Sequence, residues 1–319
     1  MLSDNSDYIF PKSDPSFSNY SSLGLIHLPS ARTHPAGSLA FSWSYLDPYM
    51  IGSIIAYPFD WLEAAYHYTD INNALYSDIE SFSGGQTYKD KGFDMKVVLS
   101  KERKYLPQVA AGIRDLAGTG TFEAEYLVFT KMIKNIDFTF GLGWGDLAEK
   151  YHKNPLESVS SSFATRTINN DTQGGELSLE KYFSGPVDYF GGIEFFFSNL
   201  NGLRLKIERD STNYRTEAFA LGAKSFQYAF APIELPSSRI NYGFVYPVTK
   251  SFSLKASMIK GNQFNFGFSY HGNWGNKSYT KPKSKKHIPV KNLEILREVN
   301  EIDRTYLYRT CLLYTSPSP

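Results

Sequence analysis

Cysteine is nearly absent, with Cys311 standing alone in 319 residues. That rules out a disulfide framework and a cysteine-based metal site. No run approaches the roughly 18–20 apolar residues of a membrane-spanning helix, and mean hydropathy is negative. A net charge of +1 offers no basic face for nucleic acid. Six histidines form no HExxH or paired-ligand pattern. There is no G-x-S-x-G elbow, and GLGWG at 141–145 lacks both the Lys-Ser/Thr and the helix pattern of a phosphate loop. The opening MLSDNSDYIF carries neither a basic region nor an apolar h-region, so a leader is expected to have been removed or to lie upstream.

Aromatic residues, by contrast, are plentiful at 16%, and Tyr (23) and Phe (24) supply nearly all of them. Residues 88–145 show where they go. Four runs there alternate apolar and polar side chains with period two, and short turn-like stretches separate them. Phe122, Ala124, Tyr126 and Val128 share one phase, against Glu123 and Glu125. Ile136, Phe138, Phe140, Leu142 and Trp144 share another, against Asp137, Thr139, Gly141 and Gly143. Side chains alternate across a strand, so each run reads as a strand with one apolar and one polar face.

Two environments suit such strands. In a soluble sandwich the apolar face meets a second sheet; in an outer-membrane barrel it meets lipid, and the polar face lines a lumen. Strand length favours the barrel, since about ten residues are needed to cross a bilayer at a tilt. So do the aromatics near strand ends (Tyr105, Tyr126, Trp144) and the polar face with charges of both signs. The expected lumen-lining residues are Glu63, His67, Asp94, Lys96, Arg114, Glu123, Glu125 and Asp137.

Along the chain, 1–21 reads as a disordered leader. Strands are expected near 38–46, 50–58 and 60–69, then the four central ones, then 176–184, 187–197 and 202–209, and finally 239–247 and the hairpin 252–270. A further strand near 214–224 restores parity and brings the total to about fourteen. Long segments at 70–87 and 146–175 fall on one side, and short turns near 101–104 and 132–135 on the other, as bacterial barrels require. Residues 272–290 form a basic linker containing KPKSKK. Residues 291–309 place Leu293, Leu296, Val299 and Ile302 at helical spacing, the start of a helical periplasmic segment. TCLLYTSPSP at 310–319 resembles translated adapter sequence and is set aside, Cys311 with it.

Candidate chemistry is sparse. Glu123 and Glu125 form a carboxylate pair that an acid–base mechanism could use, but Arg114 and Lys96 on neighbouring strands favour a salt-bridge ladder. His67, beside Glu63, has no second histidine or nucleophile at useful spacing. In RDLAGTG at 114–120, Asp115, Gly118 and Gly120 fit a tight turn anchored by Arg114. Trp61, Tyr88 and Trp144 suit either sugar stacking or an interfacial belt. No catalytic residue, cofactor or metal is expected.

The stretches GLIHLPSAR, PFDWLEAAYHYTD, YKDKGFDMKVVL, YLPQVAAGIRDLAGTGTFEAEYLV, IDFTFGLGWG, GGIEFF with LRLKIERDS, and INYGFVYPV with KGNQFNFGFSY lie in order over 22–271. In that order the chain resembles the YjbH/GfcD family of exopolysaccharide and group 4 capsule biosynthesis proteins. The resemblance implies an all-β transmembrane barrel over 22–271 in the bacterial outer membrane, with lipid, an exopolysaccharide and periplasmic or lipoprotein partners around it. Export or assembly of the polymer at the cell surface is the expected role. A non-conducting scaffold barrel that recruits periplasmic partners and a soluble β-sandwich that binds or acts on glycans are the alternatives.

Overall fold

The computed structural model describes residues 14–77, 79–116, 122–166, 181–214 and 234–275. Residues 1–276 make one compact unit and 277–319 a second. The linker and helix expected past 275, and the segment 310–319, lie outside the described residues.

The first unit is a closed antiparallel barrel of twelve strands. They are β1 (Ser38–Leu46), β2 (Tyr49–Phe59), β3 (Leu62–Leu75), β4 (Thr87–Ser100), β5 (Gln108–Leu116), β6 (Ala124–Ile133), β7 (Ile136–Gly145), β8 (Asp188–Phe197), β9 (Leu203–Arg209), β10 (Ile240–Pro247), β11 (Phe252–Ile259) and β12 (Gln263–Asn273). Each bonds to its sequence neighbours, and β12 closes on β1 from Ser38↔Asn273 to Tyr45↔Phe266. The expected total of about fourteen is corrected by this ladder. β7 bonds directly to β8 and β9 to β10, and the described part of 176–184, residues 181–184, is not strand. Most of both segments lies outside the described residues.

An even strand count brings both ends of the ladder to one rim. That rim carries the short connections 60–61, 101–107, 134–135, 198–202 and 248–251. The opposite rim carries the longer ones, 76–86, 146–187 and 210–239. Tight turns use left-handed backbone where the strand twist calls for it. Lys260 and Gly261 (φ 55° and 76°) turn β11 into β12, and Lys134 (φ 58°) turns β6 into β7.

Polarity is inverted relative to a water-soluble protein. Outward rows such as Leu39/Phe41, Phe138/Phe140, Leu205/Ile207 and Phe264/Phe266 are exposed. Inward rows hold Ser42, Ser44, Ser53, Glu63, His67, Asp94, Lys96, Glu194, Lys206, Glu208 and Lys255, all buried. Exposed apolar rows of this kind mark a surface that meets lipid or another protein.

One phase differs from the sequence reading. Ala124, Tyr126 and Val128 face inward and pack with Leu28, Ala31 and Ala110, while Leu127 and Phe129 point out. β6 is apolar on both faces, so alternation alone could not set its register. Residues 15–21, within the stretch expected as a disordered leader, run instead inside the cylinder, as do 22–34, while Asp14, Pro35 and Ala36 are exposed at its rim.

Candidate functional site

The site is the lumen, and the chain's own N-terminal segment fills it. Asp14 and Arg32 both lie at the short-turn rim. The Asp14 carbonyl accepts from Arg204 near the start of β9, and Arg32 binds Asp137 at 2.5 Å and Glu102 at 2.6 Å. Between them the chain climbs to Tyr20 and Ile26, which pack with Tyr49, Ile71 and Phe122 toward the long-loop rim. The segment is therefore a re-entrant hairpin, pinned to itself by the bridges Phe17↔Leu23 and Gly24↔Pro29. We call residues 14–36 the plug.

An irregular segment buried in a barrel cannot join its ladder, so its amides and carbonyls need other partners. The charged wall supplies them. The Glu208 carboxylate accepts from the Ile26 and His27 amides, each at 2.9 Å. Lys206 donates to the carbonyls of Gly24 at 2.7 Å and Leu25 at 2.9 Å. Arg114 donates to the His27 carbonyl at 2.9 Å and lies 4.4 Å over the Tyr20 ring, and Lys255 donates to the Ser18 carbonyl. Ser16 donates to Glu194 at 2.8 Å and Ser22 to Glu63 at 2.6 Å. Thr130 accepts from the Ala31 amide, while Gln108 donates to the Ala31 carbonyl.

Apolar plug residues fill the remaining space. Phe17 and Leu23 pack with Ala40, Ile55, Tyr57 and Ala65, and Leu28 and Ala31 with Tyr126, Val128 and Phe190. Burying each large one contributes about 1.5–3 kcal/mol. Gly24 is required at the crossing, because a Cβ there would stand 2.1 Å from the Leu28 carbonyl oxygen. A cavity of about 10 Å³ beside Phe17, Asn19, Lys206 and Lys255 has room for about one water.

At the short-turn rim, Glu102 joins Arg32 and Lys131 in a clasp. Burial works against its charge, but Arg32 and Lys131 prevail and hold its carboxyl below the usual range.

Six of the expected lumen residues point inward: Glu63, His67, Asp94, Lys96, Arg114 and Asp137. Their role differs from a wet lining, since each meets the plug or a neighbouring wall charge. Glu125 is a correction. It pairs in register with Ile113 and Trp144 on the outward side, beneath a rim segment from which Arg166 binds it at 2.7 Å. Glu123, just before β6, meets Lys181 at 2.8 Å and Arg166 at 3.4 Å. Neither carboxylate forms the expected ladder with Arg114 or Lys96; Lys96 pairs with Glu63 at 3.1 Å instead. Asp115 is buried in the wall with φ 55°, whereas Gly118 and Gly120 lie outside the described residues. Trp144 is buried against Phe183, and Trp61 stacks on Phe59 near the short-turn rim.

The sequence reading missed Arg32, Asp90, Glu194, Lys206, Glu208 and Lys255. All but Arg32 sit at inward positions of strands, so strict alternation along β4, β8, β9 and β11 was the signal available. The profile of the YjbH family, described as exopolysaccharide biosynthesis proteins, matches residues 16–308, plug included.

The chain belongs to the YjbH family.

It is 40% identical over 261 residues to the uncharacterized lipoprotein YjbH of Escherichia coli (strain K12), a match covering 82% of this chain and 35% of that protein. The chain thus spans about a third of the relative's length. Among solved structures, the KdgM porin superposes with a TM-score of 0.37 at 9% identity, covering 73% of this YjbH-family chain and 98% of the porin. The outer-membrane phospholipase A of Escherichia coli gives 0.31 at 7%, covering 75% and 92%. At those scores the likeness carries no argument, and the barrel rests on its own ladder.

Proposed function

We propose that this chain is an outer-membrane barrel serving exopolysaccharide biosynthesis as a closed scaffold, its lumen sealed by residues 14–36. The outward girdle of Phe, Leu and Ile meets lipid, the short turns face the periplasm and the long connections face out. The filled lumen is the observation that carries this reading. The wall charges of both signs are spent on plug amides and carbonyls, so a hydrated glycan has no route while the plug is seated. Periplasmic and lipoprotein partners of the same system would meet the short-turn rim, where the plug enters. We read the barrel as non-catalytic, with Glu123 and Glu125 held in structural ion pairs.

The test is conductance in planar bilayers. The intact chain is expected to stay closed, and deletion of 14–36 is expected to open a pore. Steady conductance from the intact chain would sink the scaffold reading. A second reading, gated export or assembly of the polymer, draws on one observation: both ends of the plug lie at the same rim, so it can leave as one unit without threading. Openings in the intact chain induced by added polysaccharide would favour that reading.

A further inference from the structure

Three acids and a histidine meet on the wall where β3, β4 and β5 adjoin. His67, Asp90 and Asp115 are buried, and each brings a ligand atom within 4.8 Å of the others. His67 Nδ1 stands 3.2 Å from Asp94 Oδ1. With a metal bound, a carboxylate so placed would take the Nδ1 proton into a hydrogen bond and leave Nε2 as the ligand, as outer-shell partners of metal-bound histidines do. Nε2 in turn lies 3.9 Å from Asp90 Oδ2. Among the described residues, neither ring nitrogen makes a hydrogen bond of good geometry.

The backbone makes room at the same point. Gly92 faces inward between Asp90 and Asp94, and a Cβ on it would stand 2.4 Å from Asp115 Oδ1 and 2.8 Å from His67 Nε2. The donors thus converge on space that any other residue would fill. Asp115 arrives there through a bulge. Phe93 pairs with Leu116 and Met95 with Ile113, so Arg114 and Asp115 together oppose Asp94 and both are buried. Three carboxylates face one imidazole, while the nearest guanidinium, Arg114, is committed to the His27 carbonyl and the Tyr20 ring.

We propose that His67, Asp90 and Asp115 form a binding site for a divalent transition-metal ion, with Asp94 as the positioning residue for His67. One imidazole and two carboxylates suit zinc. Calcium would want six to eight oxygens, and magnesium a near-ideal oxygen octahedron. The ion would tie three staves together beside Tyr20 of the plug, whose ring centroid lies 5.6 Å from that of His67. The spacing of AYHYTD and KDKGFD concealed the set, because its members come from three strands and one of them depends on the bulge.

The rival arrangement is a protonated His67 neutralised by Asp90 and Asp94 with no metal. The two separate on the full chain in detergent, stripped with chelator, given zinc and then desalted. Expected are about one equivalent of retained zinc by elemental analysis and a melting temperature that rises with zinc but not with calcium or magnesium. Gly92→Ala keeps every ligand and fills the space between them; it and Asp115→Asn should each cut retained zinc at least tenfold. Cobalt on the unaltered chain should give the intense visible bands of a four-coordinate site, a readout that needs no variant to fold. No retained zinc and no cobalt bands would overturn the proposal in favour of the protonated cluster. Equal retention in the unaltered chain and in both variants would overturn it in favour of binding elsewhere.

Discussion

Replacing Glu208 with Ala should release the plug while leaving the barrel standing. The carboxylate accepts from the amides of Ile26 and His27, each at 2.9 Å, and from Asn241 Nδ2 at 2.9 Å. Truncation strands three buried backbone donors, the Leu28 amide at 3.3 Å being the third, at about 1–3 kcal/mol each. Removing a buried carboxylate offsets part of that cost, which leaves a net of about 2–4 kcal/mol against the seated plug. Because β8 and β10 hold β9 on either side through backbone hydrogen bonds, the loss falls on the plug. Chymotrypsin cleavage at Tyr20, buried inside the cylinder, reads the released population directly when opening is fast relative to cleavage. At about 1.36 kcal/mol per decade, cleavage should accelerate roughly 30-fold to nearly 1,000-fold. Glu208→Gln, which keeps one acceptor but turns an NH₂ toward the amides, should fall between. The reasoning fails if Glu208→Ala folds with Tyr20 as protected as before, or if the whole barrel melts with no separate release.

Gly24→Ala drives a Cβ to within 2.1 Å of the Leu28 carbonyl oxygen, so the same assay should show early cleavage with the barrel melting point little changed. The Arg32–Glu102 clasp has a defined pH sense: Glu102 is depressed in the folded chain, so its contribution is full above the ordinary carboxylate pKa of about 4.3 and lost as pH falls through the lower folded value. Conductance of the intact chain should therefore stay near zero from neutral pH down to about that value, and clasp loss already at pH 6–7 would contradict the assignment. Phe140→Arg places a charge on the exposed outward face and should destabilise the barrel in bilayers by about 2–4 kcal/mol if Phe140 lies near the midplane, measured by denaturant titration; no change in lipid would remove the girdle from the membrane.

Much of the cylinder is legible in the sequence. Glu63, Ala65 and His67 alternate cleanly with Leu62, Ala64 and Tyr66, as do Asp137, Thr139 and Gly141 with Phe138 and Phe140, and the structure gives each set one face. Where both faces are apolar, as along Ala124–Phe129, alternation carried no phase, and the register came from pairing with β5 and β7. The expected staves, about fourteen, exceed the twelve of the ladder, and the difference falls on 176–184 and 214–224, which lie mostly outside the described residues.

The plug was the larger omission. GLIHLPSAR has neither a strand's period nor a helix's, so nothing local marked Leu23, Leu25, Ile26 and Leu28 as interior. Local sequence determined the period-two strands, the short and long turns, and which charges would point away from the apolar girdle. Only the closed tertiary structure decided what those charges meet. A ladder of twelve strands encloses a space small enough for one short segment of the same chain to fill, and buried backbone groups there must bond to whatever the wall offers.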